Sequence, residues 1–206
     1  NASAPFVRVG VADGFSNAHG VHAVDVNGDA RVDVVAVARN DVNVRVYVSD
    51  GASPTPHFNL TTELPLSAPG GAPDTRAVHA ADVNGDGFVD IVAGAHLSDA
   101  PNPLYLWLQQ APPRAGGVPT FDAPITLSTT HTKISAVWAL DVDGDTRVDV
   151  LAASQLENAI VVFFNDADAE APPSFTESVT QLDSGPYSLW PADVDGDGEV
   201  DLLLAA

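Results

Sequence analysis

The chain of 206 residues carries a formal charge of −20, is 45% apolar and only 17% charged, and contains neither cysteine nor methionine. That apolar content supports a packed core rather than a disordered chain. The acidity disfavours nucleic acid as a partner, and the absence of cysteine excludes disulfides and thiolate metal sites. No apolar run reaches the roughly 18 residues that a membrane-spanning helix needs, and the length allows one or two domains.

In chain order, the first strand candidate is Phe6-Val7-Arg8-Val9-Gly10-Val11, preceded by Pro5. Gly20 to Val24 leads into an acidic loop, Val32 to Val37 leaves it, and Val42 to Val48 alternates in the manner of a half-buried strand. Phe58, two residues after Pro56, opens a fourth stretch before the pattern restarts. The second round runs through Ile91 to Ala95, Leu104 to Leu108 and Phe121 to Leu127. The third runs through Val148 to Ala153, Ala159 to Phe164 and a stretch led by Phe175. A fourth round stops after Leu202-Leu203-Leu204. Proline-rich connections, Ala111 to Arg114 and Ala169 to Pro173, suit surface loops and an outer edge strand, where a missing N–H costs little.

Four strands per unit of about 50–60 residues, with no helical period, predict an all-β chain of β-propeller blades. A stack of short sandwiches is the alternative, which the regular period disfavours. The expected division is an outer strand of a preceding blade over residues 1–18, blades over 19–66, 67–130 and 131–182, and the first half of a further blade over 183–206. That makes fifteen strands, with the last blade lacking its third, so the segment is expected not to close a ring alone. Starting at Asn1 with no methionine anywhere, the chain reads as a mature or internal segment of something longer.

The acidic loops carry the chemistry. Asp82, Asn84, Asp86 and Asp90 stand at positions 1, 3, 5 and 9 of one loop, with Phe88 at position 7 able to add its backbone carbonyl. The same places hold Asp25, Asn27, Asp29, Arg31 and Asp33 in the first loop. The third has Asp141, Asp143, Asp145, Arg147 and Asp149, and the fourth has Asp193, Asp195, Asp197, Glu199 and Asp201. Position 4 is glycine throughout, and the first aspartates are 57, 59 and 52 residues apart. Ca²⁺ takes 6–8 oxygen ligands, and a tight loop with an oxygen at every second position supplies most of them. Asp-Asn-Gly clusters also make ordinary turns, so one match would mean little; four in register point to one Ca²⁺ per loop. Half of the 28 acidic residues lie at positions 1, 3, 5 and 9 of these loops, and four ions would bring the charge from −20 to −12. An EF-hand is excluded, because position 12 is Ala36, Ala93, Ala152 or Leu204 instead of glutamate and the flanks are strand-like.

The run from Asp82 through Ala95, with its three counterparts, resembles the FG-GAP/VCBS repeats of integrin α-chain propellers, of bacterial and algal surface proteins and of some fungal lectins. The resemblance implies a Ca²⁺ held between the first two strands of each blade, and rings commonly of seven blades. Position 6 departs from the family's glycine at Ala30 and Thr146. Where that position requires φ > 0, the first and third sites carry strain and bind more weakly.

Three residues before each loop stand His22, His79, Trp138 and Trp190. Packing between neighbouring innermost strands is the favoured role, with a glycan or peptide platform as the alternative. The histidines as metal ligands are disfavoured, since no other nitrogen ligand shares their spacing. No nucleophile motif or phosphate loop occurs, and the carboxylates are committed to the loops, so no enzyme is expected. Sequons at Asn1 and Asn59 suit a secretory route. The expected function is therefore a non-catalytic, calcium-stabilised extracellular or cell-surface module for structure, adhesion or protein interaction. Its expected partners are other subunits or the remaining blades. A carbohydrate-binding lectin and an accessory propeller of a secreted hydrolase or lyase are the alternatives.

Overall fold

A computed structural model describes residues 8–12, 15–39, 41–52, 55–66, 74–97, 102–111, 116–167 and 172–206. These residues form no helix and are organised in antiparallel sheets. The first sheet comprises β1 (Ala18–Val24), β2 (Asp33–Ala38), β3 (Asn43–Ser49) and β4 (Phe58–Pro65), in that order. The second contains β5 (Thr75–Ala81), β6 (Asp90–Ala95) and β7 (Leu104–Trp107). A two-stranded extension of β8 (Gln109–Gln110) and β9 (Thr120–Phe121) follows, and β10 (Ile125–Ser128) then pairs with β7. The third is β11 (Ile134–Leu140), β12 (Asp149–Ser154), β13 (Ala159–Asn165) and β14 (Phe175–Gln181). A final pair joins β15 (Ser188–Ala192) to β16 (Asp201–Ala205).

Two strand expectations need correction. The opening strand at Phe6–Val11 is not found: residues 8–12 are unpaired, and Phe6 and Val7 lie outside the described residues. The stretch Phe121–Leu127 is not one strand but two, β9 and β10, and the described residues hold sixteen strands rather than fifteen. Pro124 sits at the break, where it has no N–H to contribute to the ladder.

The continuous apolar runs have a direct cause. Strands β6 and β12 are buried along their whole length, on both faces. Ile91 and Ala93 of β6 pack with Val35, Val37, Val44 and Val46 of the first sheet. Val92, on the opposite face of β6, packs with Val137, Val150, Ala152 and Phe163 of the third. Leu151 and Ala153 then point from β12 toward Leu189 of β15. Each of these two central strands is thus the shared wall of two cores. The sheets follow one another in chain order, and their first strands lie side by side. No helix among the described residues is long and apolar enough to cross a membrane.

Close approach between sheets depends on small residues. A Cβ at Gly20 would lie 2.6 Å from the carbonyl oxygen of Arg76 and 2.8 Å from Val37 Cγ2. The first contact is backbone and cannot swing away. Gly20→Ala is expected to lower stability by about 1–3 kcal/mol, read as a reduced urea midpoint. An unchanged midpoint would show that the first two sheets are not held at this spacing.

Candidate metal centres

Each acidic loop joins the first and second strands of its sheet, after β1, β5, β11 and β15. The loops are shaped by their own carboxylates. Asp25 at position 1 accepts N–H bonds from Gly28 (2.8 Å), Asp29 (3.1 Å) and Ala30 (2.6 Å). Asp141 does the same for Gly144 (2.7 Å), Asp145 (3.2 Å) and Thr146 (2.8 Å). Asp82 accepts from Asp86 and Gly87, and Asp193 from Gly196 and Gly198. Position 3 (Asn27, Asn84, Asp143, Asp195) accepts from the N–H of position 5 in every loop. Position 5 accepts from the N–H of position 7, that is Arg31, Phe88, Arg147 or Glu199, at 2.8–3.0 Å. Short oxygen side chains at alternate positions thereby wind the backbone around a common centre.

Position 6 does require the left-handed region. Ala30 and Thr146 have φ of 63° and 74°, where Gly87 and Gly198 both have 88°. The two non-glycine residues pay about 1–2 kcal/mol for this conformation.

Position 9 plays a part that the loop pattern alone does not reveal. Asp33, Asp90 and Asp149 are fully buried. One oxygen of each accepts the N–H of position 2, from Val26, Val83 or Val142, at 2.9–3.1 Å. The other accepts an N–H from a later strand: Ser49 of β3 (2.9 Å), Gln109 of β8 (2.8 Å) or Asn165 of β13 (2.8 Å). The carboxylate clasps loop and sheet together. Burial raises all three pKa values, that of Asp90 to about 6, against the lowering effect of the N–H donors. Asp201 accepts the Val194 N–H at 3.0 Å and is exposed.

The donor set fits a hard divalent cation. In the third loop, carboxylate oxygens of Asp141, Asp143 and Asp149 lie within 4.8 Å of one another. In the fourth, those of Asp193, Asp195 and Asp197 do so. Oxygens at that separation can share one ion at Ca²⁺–O distances of about 2.4 Å. The first and second loops substitute the neutral amides of Asn27 and Asn84 at position 3, so fewer carboxylates converge there. At position 7 only the backbone carbonyl is available from Arg31, Phe88 and Arg147, whose side chains hold no acceptor. The arginines instead ion-pair with position 5: Arg31 with Asp29 at 2.8 Å, and Arg147 with Asp145. The Arg31 guanidinium is the main reason the Asp29 carboxyl lies below its ordinary range.

The four rings that precede the loops form one row along the first strands. Centroids are 4.2 Å apart for His22 and His79, 4.7 Å for His79 and Trp138, and 4.8 Å for Trp138 and Trp190. His79 is buried and its Nδ1 accepts the Ala139 N–H, while Trp138 Nε1 donates to the Leu189 carbonyl at 2.7 Å. Burial lowers the pKa of both histidines, that of His79 to about 3, so the stacked pair is neutral. Only Trp190, at the end of the row, is well exposed, at 59%. A cavity of about 500 Å³ runs along the row, floored by Val21, Val78 and Val137.

Other groups escaped the reading of the sequence. Buried His131 bonds Glu157 at 2.6 Å and Glu177 at 3.3 Å, and Asn165 Nδ2 donates to the Val83 carbonyl of the neighbouring sheet. No local spacing marks these contacts. The clasp of position 9 does have a signal: Ser49 and Asn165 each follow their aspartate by 16 residues. Of the two sequons, Asn59 is exposed on β4 and Asn1 lies outside the described residues.

A family model for the FG-GAP-like repeat matches residues 25–93 and 141–204, spans that contain all four loops and the strands that leave them. The chain belongs to this family of repeats. No curated protein matches it.

Asp90→Ala removes both acceptors of a buried clasp and leaves the Val83 and Gln109 N–H groups unpaired, at a cost of about 2–4 kcal/mol. Asp201→Ala, at an exposed site with one such bond, should cost under about 1 kcal/mol. Equal losses by urea denaturation in metal-free buffer would contradict the clasp.

Proposed function

We propose that the chain is part of a calcium-stabilised β-propeller, each four-stranded sheet being a blade and each acidic loop holding one Ca²⁺. The observation that carries this reading is the shared register of four loops: in each, oxygens at positions 1, 3 and 5 accept backbone N–H groups of the same turn, and in the first three the aspartate at position 9 also bonds a following strand. The residues proposed as ligands are the side chains at positions 1, 3, 5 and 9 and the carbonyls of Arg31, Phe88, Arg147 and Glu199. A bound cation offsets the repulsion among carboxylates crowded in one turn, which couples binding to folding.

The module is non-catalytic in this reading, and it acts as a rigid scaffold in an extracellular or cell-surface assembly. Support comes from the family membership and from the commitment of the carboxylates to loop geometry. The module's proposed partners are further blades of the same architecture or a neighbouring subunit. A lectin is the second reading, favoured by exposed Trp190 beside the long cavity. Glycan binding that is lost in Trp190→Ala with unchanged stability would support the lectin over the scaffold.

At a Ca²⁺ concentration about ten times Kd, each site adds about 1.4 kcal/mol, so four sites together add about 5–6 kcal/mol. Excess EDTA should therefore lower the melting temperature by about 10 °C or more, and Ca²⁺ should restore it. An identical melting curve in EDTA overturns the calcium reading. Exposed Asn59 on β4 is expected to carry glycan when the chain is secreted from a eukaryotic cell, as read by peptide mass spectrometry; a wholly unmodified Asn59 counts against that route.

A further inference from the structure

The four loops fall into two kinds, and the difference lies in the side chains rather than in the backbone course. In the first and third, an arginine at position 7 reaches back to the carboxylate at position 5. Arg31 Nε and Nη2 both donate to Asp29 Oδ2, at 3.1 and 2.8 Å, and its Nη1 donates to the Asp50 carbonyl just past β3 at 3.1 Å. Arg147 pairs with Asp145 through Nη2, and its Nε donates instead to the Asn165 carbonyl at the end of β13. The second and fourth loops have Phe88 and Glu199 at position 7, with no guanidinium. In the second loop the side chain that donates to Asp86 is the neutral Asn84 amide, at 2.9 Å, beside the Phe88 backbone N–H.

In the two loops with four aspartates, the third and fourth, the consequence is visible in the grouping of oxygens. Asp197, free of arginine, gathers with Asp193 and Asp195 in the fourth loop. Asp145, held by Arg147, is left out of the group in the third, where Asp149 joins Asp141 and Asp143 instead. We infer that Arg31 and Arg147 are resident counter-ions that draw Asp29 and Asp145 off a shared cation. The first and third loops then keep their shape without metal and take Ca²⁺ weakly, while the second and fourth fill first. This rests on the calcium reading above and adds an order of filling to it.

The guanidinium of each pair is exposed, so each stabilises its loop only modestly. A unit charge roughly 6 Å from a divalent ion in water nonetheless changes affinity by about tenfold. Position 6 differs in the same two loops, Ala30 and Thr146 against glycine, and the test must separate strain from charge.

The experiment is a calorimetric Ca²⁺ titration of the 206-residue chain at low ionic strength. It is run beside the double variants Arg31→Gln/Arg147→Gln and Ala30→Gly/Thr146→Gly. The wild type should show two classes of site with about two sites in the tighter one. Removing the arginines should tighten the weak class by about tenfold, and should lower the melting temperature in EDTA, where no metal compensates for the lost anchors. The glycine variant should shift the weak class by less. A single class unaffected by the loss of the arginines overturns the inference and leaves calcium binding intact, as does a larger shift from the glycine variant. No binding heat at millimolar Ca²⁺ overturns both. Should the arginine variant fail to fold, Glu199→Arg puts the same guanidinium into the fourth loop. Loss of one tight site supports the inference there, and retention of both refutes it.

Discussion

A buried carboxylate with two N–H donors on opposite sides is the constraint on which the rest of this structure depends. Asp33, Asp90 and Asp149 each begin a second strand, and each is fully withdrawn from water. A carboxylate in that position is tolerable only when its lone pairs are filled, and the fillers come from the two places that must be brought together: the start of the loop and a later strand, β3, β8 or β13. One side chain therefore closes the loop and sets the register of the hairpin that follows. In the fourth copy Asp201 accepts only the Val194 N–H and lies in solvent.

The stacking of the sheets follows from the same economy of polar and apolar groups. Because β6 and β12 are apolar on both faces, neither can serve as an outer layer, and each demands a neighbour on either side. Side chains alternate between the two cores, so a change at Val92 is felt in the core shared with the third sheet and a change at Ile91 in the core shared with the first. Contacts run from each sheet to the next in chain order. Stability in such an arrangement is a sum over units and their shared walls.

Much of this was legible in the sequence, and the reasons are physical. The loops are coded locally, by oxygen side chains at fixed offsets, and the central strands by unbroken apolar runs; both signals survive without any knowledge of the fold. The requirement for φ > 0 at position 6 was also readable, from glycine in two copies against Ala30 and Thr146 in the others. What could not be read was anything set by tertiary contact. The ring of Trp138 and that of Trp190 belong to one row, yet only the structure shows the first tied to the Leu189 carbonyl and the second exposed. The clasp of Asp90 on Gln109 spans 19 residues, and the pairing of His131 with Glu177 spans 46. The split of β9 from β10 was missed because the phenylalanine that opens the stretch drew more weight than the proline within it. The arginine side chains at position 7 were read only for their carbonyls, although a guanidinium two residues from a carboxylate is a natural partner for it.

The edge-to-face contact of Trp138 with Trp190, at 4.8 Å and 77° between planes, bridges the third sheet and the final strand pair. Indoles that close exchange excitation, and their strong transitions split into a couplet in the far-ultraviolet circular dichroism spectrum. The third tryptophan, Trp107, lies in the core between the first and second sheets and is in ring contact with Tyr105 rather than with another indole. The chain thus contains an optical gauge of its own: the couplet reports whether β15 and β16 remain seated on β11, while the fluorescence of Trp107 follows the older core, so that fraying at one end can be timed separately from collapse of the whole.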